Sequence, residues 1–577
     1  MTALVNALDN YTPRQFGENG HVEYGWSNTV QEQIVQFNFQ VTRTDEVGIH
    51  KLSQTLSGIL RQLNNQFKNG TLPEKQIAKG YLSILYRIVG HTRDIIYGKG
   101  EYTLSYMMIH TWHKFFPKLA FFALKCFVDL GDKDIHQYGS WKDLKYFCEY
   151  CKNNGDNIND ELIQYSIKLI NEQIKNDYTN YLAKSNDVSL AAKWAPREKS
   201  HFGWLYEGLA TNYFKEFIDT VKTDDQKKKA VLKCKTEYRK VLSSLNRYID
   251  TLQIKQCERV WSSIDFNKVT SISLSKQKKA FLNIKKNGEV RFPENDDRIS
   301  CAGNFSSHVQ RAVKGEIEMK GKRVSMTYFT KQALENLSNV EKDLLNSQWR
   351  DNATQNGPLG KMIAMVDVSG SMNGDSINAA IALGIRIAEN SVLGNRVMTF
   401  SSRPTWINLD GCDDFISKVQ VIRHADWGMN TNFHAAMDMI LDAIISNKMN
   451  HEDVQDMVLV ILSDMQMDAA DKSSIGTETL YNTMLKKYSD AGIRVHGTPY
   501  KPPHILFWNL RKTSGFPLLS NQSNASMISG FSPALLNLFC EQGIEALQSC
   551  TPWSMLIKSL ENERYKIMEN KLEEILV

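Results

Sequence analysis

Apolar positions along the chain fall into two regimes. From about residue 31 to 350 they recur at helical spacing. Leu82, Ile84, Leu85, Tyr86 and Ile88 form one stretch. Phe115, Phe116, Leu119, Phe121, Phe122, Leu124 and Phe127 form a second, rich in aromatics. Ile163, Ile167 and Ile170 follow at i, i+4 and i+7, the stripe by which a helix turns one face to a core. Polar breaks at 97–101, 131–139 and 153–160 separate these stretches. Helices of roughly 10–18 residues joined by such breaks predict stacked hairpins: a ring, a solenoid of degenerate HEAT-like repeats, or an irregular α-domain. Residues 1–30, rich in Asn, Gly and Tyr, read as irregular.

From about 357 the period changes. Runs 361–368, 395–400, 457–463 and 505–510 read as buried strands, and 376–389, 433–445 and 480–491 as helices between them. This alternation predicts a doubly wound parallel sheet over 355–515. Strands covered on both faces read as unbroken apolar runs, as Met457 to Leu462 does. Residues 516–577 read as a helical tail that packs back on the rest. The fold class expected is therefore α/β plus all-α.

Composition narrows the function. With 577 residues, 42% hydrophobic and 23% charged, the chain is typical of globular proteins with more than one core. No window reaches the ~18 uncharged apolar residues of a membrane helix. Met1 to Asn10 carry no basic stretch and include Asp9, unlike a secretory signal. Nine scattered Cys favour reduced thiols, so an intracellular, cytoplasmic placement is expected. Cys148 and Cys151 lack a second pair at metal-ligand spacing and read as ordinary helix thiols, and His110 and His113 likewise read as non-ligands. The net charge of +5 is small for this length, but its distribution is uneven. Residues 215–290 carry 18 Lys and Arg against 9 Asp and Glu, whereas 355–515 carry 14 against 17.

The strongest chemical signal is Asp367-Val368-Ser369-Gly370-Ser371, between a buried strand and a helix. In a doubly wound sheet that is where ligands bind. A carboxylate and two hydroxyls two residues apart suit Mg²⁺, which takes oxygen ligands and keeps several waters. Thr431, in the polar turn from Trp427 to Asn432, and Asp464, at the end of the strand Val460 to Ser463, add oxygens from other strand ends. No Gly-x-Ser-x-Gly, P-loop or Gly-x-Gly-x-x-Gly occurs at this turn, which argues against hydrolase-elbow and nucleotide-loop chemistry. Asp367 and Asp464 also form a carboxylate pair of the kind used in Mg²⁺-dependent phosphoryl transfer, with no Lys in the Asp367 turn to support it.

In chain order, Asp367, Ser369, Ser371, Thr431 and Asp464 resemble the metal-ion-dependent adhesion site of von Willebrand factor A-type domains. The resemblance implies metal ligation by these five residues and an open position for a partner's carboxylate. The usual Gly-Gly ahead of the Thr is only partly kept, as Gly428-Met429-Asn430-Thr431. More widely, Tyr11 to Trp26, His91 to Asp94, Gly98 to Glu101, Tyr138 to Leu144, Ala191 to Glu198 and Trp261 to Phe266 resemble an uncharacterised family that joins a helical region to such a domain. The architecture is also similar to the Ro autoantigen, whose helical-repeat ring binds RNA. That similarity implies an RNA-binding alternative, for which Lys193, Arg197, Lys276, Lys278, Lys279, Lys285 and Lys286 are the candidate contacts, with Trp194, Tyr238, Tyr248, Trp261 and Phe266 as stacking rings. Interleaved acids also allow these lysines to be an ordinary solvated face. The function expected is a non-enzymatic binding or scaffold protein with a Mg²⁺-dependent site for a protein partner.

Overall fold

The computed structural model describes residues 14–576 apart from 133, 426–427, 429–430, 469–478 and 541–543. It opens with an antiparallel hairpin, β1 (Arg14–Phe16) and β2 (Val22–Tyr24), inside the segment read as irregular. Its partners are remote in sequence. Tyr24 exchanges two backbone hydrogen bonds of 2.9 Å with Phe516. The Glu18 amide and the Asn19 side chain both donate to Gln466, each at 2.9 Å. Glu23, fully buried, accepts from Gln15 (2.9 Å) and Ser514 (3.1 Å). A hairpin held by such contacts leaves little trace in local pattern.

Helices follow from Val30 to Ala353, and Glu46–Asn69 packs on Leu72–Arg93 through one apolar stripe. The sheet then comprises β3 (Met362–Asp367), β4 (Arg396–Phe400), β5 (Thr405–Asn408), β6 (Val458–Ser463), β7 (His504–Asn509) and β8 (Ala525–Ser529). Its spatial order is β5-β4-β3-β6-β7-β8, and every pair is parallel except β4 with β5. Two of these strands depart from expectation. β5 is an antiparallel edge, and β8 lies in the segment read as a helical tail, so the sheet runs past residue 515. Among the described residues beyond β8, helices cover Pro533–Leu536, Asn537–Cys540, Ile544–Gln548, Pro552–Leu560 and Glu563–Ile575.

Alternation along the buried strands divides two cores. Ile363, Met365, Leu459, Ile461, Ile505 and Phe507 face a core shared with the helices of residues 30–245 and with Leu556 to Leu576. Ala364, Val366, Val460, Leu462, Leu506 and Trp508 face one shared with Val324 to Trp349 and helix Asp375–Asn390. Gly384 sets that helix's distance from the sheet, since a Cβ there would lie 2.6 Å from a Val366 methyl. Residues 264–344 hold a third, smaller core around Phe266, Phe281 and Phe305.

The halves are joined by buried polar groups. At the end of helix Val30–Gln40 the Val41 amide is shared between the Phe37 (3.1 Å) and Asn38 (3.3 Å) carbonyls, so the last turn needs further donors. Lys99, fully buried, donates to the Asn38 carbonyl (2.8 Å), the Val41 carbonyl (3.0 Å) and Ser529 of β8 (2.8 Å). Ser529 donates to the same two carbonyls, and Asn509 of β7 donates to Phe39 (3.0 Å). Nearby, Arg93 forms a bidentate pair with Asp143 (2.7 and 2.8 Å), which also accepts from Tyr106 (2.7 Å). Asp94 is held the same way by Arg564 of the last helix (2.9 Å twice), with Tyr565 at 3.0 Å. The runs His91 to Asp94, Gly98 to Glu101 and Tyr138 to Leu144 are thus structural joints. Cys148 and Cys151 are buried free thiols, and burial pushes the Cys148 thiol up to about 12. His110 and His113 each meet a separate carboxylate, Asp156 (3.1 Å) and Glu161 (3.2 Å). No helix among the described residues is long and apolar enough to cross a membrane.

Removing one partner of a buried ion pair strands the other. Arg93→Met is therefore expected to lower stability by about 3–5 kcal/mol, read from urea unfolding. A loss under about 1 kcal/mol would show that Tyr106 and the Ser140 amide suffice for Asp143.

Candidate metal centre

The strand order places one point of the sheet apart. From β3 the chain goes outward to β4 and β5, then returns to β6 on the other side of β3. The crevice between β3 and β6 is the topological switch point, beyond whose carboxyl ends ligands bind in such sheets. Asp367 is the last residue of β3, and Asp464 directly follows β6.

Both carboxylates are buried. Asp367 accepts from the Ser369 amide (2.9 Å) and the Ser463 hydroxyl (2.6 Å). Burial first, and the neighbouring Asp464 charge second, push its carboxyl up to about 7 despite those bonds. Asp464 is also raised, by burial, and it accepts from the Gln466 amide (3.2 Å). The hydroxyls of Ser369 and Ser371 lie 3.0 Å apart.

Thr431 reaches the same place from another loop. It exchanges backbone bonds with Asp468, its amide donating to the carboxylate and its carbonyl accepting from the amide, both at 3.0 Å. The next amide, Asn432, donates to the Ser401 carbonyl beyond β4 (2.8 Å). Since Ser401 follows β4 and Asp468 follows β6, these bonds place the Thr431 loop at the carboxyl end of the sheet. Gly428 lets the loop lie on Ser402, because a Cβ there would fall 2.3 Å from the Ser402 hydroxyl. Trp427, Met429 and Asn430 lie outside the described residues. The Thr431 hydroxyl is buried with no hydrogen-bond partner among the described residues. A buried hydroxyl without a partner on a loop bonded to Ser401 and Asp468, together with two buried carboxylates and two serine hydroxyls at the same end of the sheet, is a donor set that fits a hard divalent cation. Among the described residues no three His, Cys, Asp or Glu side chains cluster in metal-holding fashion, so such a site depends on its hydroxyls.

Sequence reasoning missed several neighbours. Ser463 orients Asp367, Asp468 holds Thr431, and Arg511 donates to the Ser371 carbonyl while lying 3.9 Å from Asp464. Ser463 and Arg511 sit at or just beyond strand ends, a positional signal that a strand assignment carries. The centre opens into a cavity of about 1030 Å³ between the sheet end and the N-terminal helices. Arg43, Lys51, Gln466, Arg511, Lys512 and Phe531 are among its walls.

The candidate RNA contacts do not form one face. Lys278 is buried, donates to Gln332 and lies 3.8 Å from Glu341, so it is not a surface contact. Lys276 and Lys286 are exposed, Lys279 is half-buried and donates to the Lys286 carbonyl (3.3 Å), and Lys285 pairs with Glu289 (2.9 Å). Lys193 is half-buried beside Trp194 and Arg197 is exposed, both against the main core and not the small one. Tyr238 and Phe266 are core residues and Trp261 is covered by Arg298 at 3.7 Å, which removes them as free stacking rings.

Residues 161–354 match a family model described as a domain of unknown function (DUF2828), and residues 361–574 match another, also of unknown function (DUF7788). The chain is 28% identical over 561 residues to "Uncharacterized protein L728" of Acanthamoeba polyphaga mimivirus, covering 95% of this chain and 87% of that protein. These similarities support an uncharacterised family.

The raised Asp367 carboxyl has a thermodynamic sign. Between pH 3.8 and about 7 the folded chain binds this proton more tightly than the unfolded chain. Its contribution is present at low pH and lost as pH rises through about 7. In EDTA, Asp367→Asn is therefore expected to reduce the fall in melting temperature between about pH 5 and pH 8. An unchanged pH profile in the variant would contradict the assignment.

Proposed function

We propose that the α/β half is a von Willebrand A-type binding module. In this reading Asp367, Ser369, Ser371, Thr431 and Asp464 hold a divalent cation, with Mg²⁺ the best match to oxygen donors. When bound, the cation supplies a Lewis-acidic position to which a protein partner's carboxylate binds. The chain's own residues do the rest. Ser463 and the Ser369 amide orient Asp367, Asp468 and Ser401 hold the Thr431 loop, and Arg511 braces the Ser371 turn. The reading rests above all on the buried Thr431 hydroxyl, which has no hydrogen-bond partner among the described residues, and on the two buried carboxylates at the same end of the sheet. Counted by appearance in the sheet, the strand order 3-2-1-4-5-6 with an antiparallel third strand supports it. The cavity gives an acidic segment of a partner room to approach, with Lys51, Arg511 and Lys512 on its walls.

A ligand that binds only the folded state stabilises it by about 2.7 kcal/mol at a hundred times its dissociation constant. Mg²⁺ is therefore expected to raise the melting temperature near pH 8, and Asp367→Ala and Thr431→Ala to abolish the rise. Capture of a protein partner is expected to need both Mg²⁺ and Asp367. A melting temperature indifferent to Mg²⁺, Mn²⁺ and Ca²⁺ would remove the reading. Phosphoester turnover lost in Asp367→Ala would replace it with the phosphoryl-transfer one.

A further inference from the structure

A second feature stands apart from the sheet. Helix Lys142–Asn153 carries Lys142, Lys145 and Lys152. The first two are half-buried and the third is exposed. Lys145 and Lys152 are seven residues apart, hence on one face and about 10 Å from each other along the axis. The segment Ala191 to Arg197 packs beside them and adds Lys193 and Arg197.

None of these five cations has an ion pair among the described residues. The nearby acids are engaged elsewhere: Asp143 with Arg93, Glu149 with His201, and Glu198 with Lys235 and Arg239. The ammonium groups rest on aromatic faces instead. Lys142 lies 4.9 Å from the ring centres of Tyr102 and Tyr146. Lys145 lies 5.1 Å from those of Trp194 and Phe202, Lys193 5.7 Å from Trp194, and Lys152 4.8 Å from Trp204. Burial first, and repulsion from Lys142 and Arg197 second, lower the affinity of Lys145 for a proton.

Like charges whose neighbouring acids are paired elsewhere oppose folding, so an anion that joins them gains what the fold gives up. A cation over an aromatic face is held weakly, whereas a charge-assisted bond to a phosphate oxygen is strong. A phosphate chain would draw the ammonium groups off the rings and release the faces they cover on Trp194, and on Tyr146 and Phe202, which pack edge to face on each other, to stack bases. A plain polyanion would use the charges and leave the rings idle.

We infer that Lys142, Lys145, Lys152, Lys193 and Arg197, with the rings of Tyr146, Trp194 and Phe202, form a binding surface for single-stranded nucleic acid. It is independent of the metal centre, so EDTA and Asp367→Ala leave it intact.

The test is fluorescence anisotropy with the full chain and a labelled oligouridylate of about 20 nucleotides, at about 50 and 200 mM salt. Wild type is expected to bind and to weaken with salt. Lys142→Gln with Lys145→Gln is expected to weaken binding about tenfold and to flatten the logarithmic salt slope by about 0.7 per lysine. Trp194→Ala is expected to weaken oligouridylate binding and leave heparin binding unchanged. Lys276→Gln, on an exposed lysine elsewhere, is expected to change nothing. The melting temperature of the double variant should hold or rise, since repulsion is removed. Arg197→Gln, at an exposed position, provides a variant whose folding is not in question. No binding at low salt, binding unaffected by the patch substitutions, or equal competition by heparin and duplex RNA would each overturn the inference.

Discussion

The arrangement depends on how the carboxyl end of helix Val30–Gln40 is satisfied. Its last carbonyls are buried between the two halves, where water cannot reach them, and an unmet carbonyl there is costly. Lys99 comes from the helical half, and Ser529 and Asn509 come from the sheet. Neither half alone supplies the full set. Glycines allow the close approach. Gly98 has no room for a side chain against the His91 carbonyl, 2.0 Å from a Cβ position, and Gly530, at φ 118°, lies where a Cβ would touch the Lys99 stem. Burial pulls the Lys99 ammonium down to about 7, but three oxygen acceptors surround it. The cavity beside the candidate metal centre lies between the helices and the sheet end that this joint holds together.

The sheet was legible where burial on both faces makes an unbroken apolar run, as in β3, β6 and β7. It was not legible at the edges. β5 is four residues long and exposes Trp406, so nothing in Thr405-Trp406-Ile407-Asn408 distinguishes a strand from a loop. β8 is Ala-Ser-Met-Ile-Ser, and its serines are buried only because His504 and the helix carbonyls receive them. The candidate site divides along the same line. Asp367, Ser369 and Ser371 are a local motif and Asp464 sits at a strand end, whereas Thr431 lies in a loop between two helices, not at the strand end expected of it. Arg511, Asp468 and the cavity come from tertiary placement that a linear reading cannot supply.

Charge was the least legible property. A count of basic residues over 215–290 treats each Lys as surface, but Lys278 turns inward to Gln332 and Glu341. The five cations of the inferred binding surface, between residues 142 and 197, lie outside that window, where their number alone does not stand out. What separates a solvated face from a ligand surface is whether acids are in reach, and only the fold decides that. The same holds for His91 to Asp94 and Tyr138 to Leu144, whose charged residues serve the buried frame.

The bond from Asp94 to Arg564 spans 470 residues. A ribosome adds about 5–20 residues per second, so Asp94 waits roughly half a minute to a minute and a half for its partner. The hairpin of Arg14–Tyr24 waits about as long for Gln466 and longer for Phe516. Throughout that interval the nascent helical half exposes an unpaired acid and the apolar faces meant for the sheet and the last helix. Synthesis of this chain is thus a race between late completion and early aggregation, and holding chaperones have their longest task at its beginning.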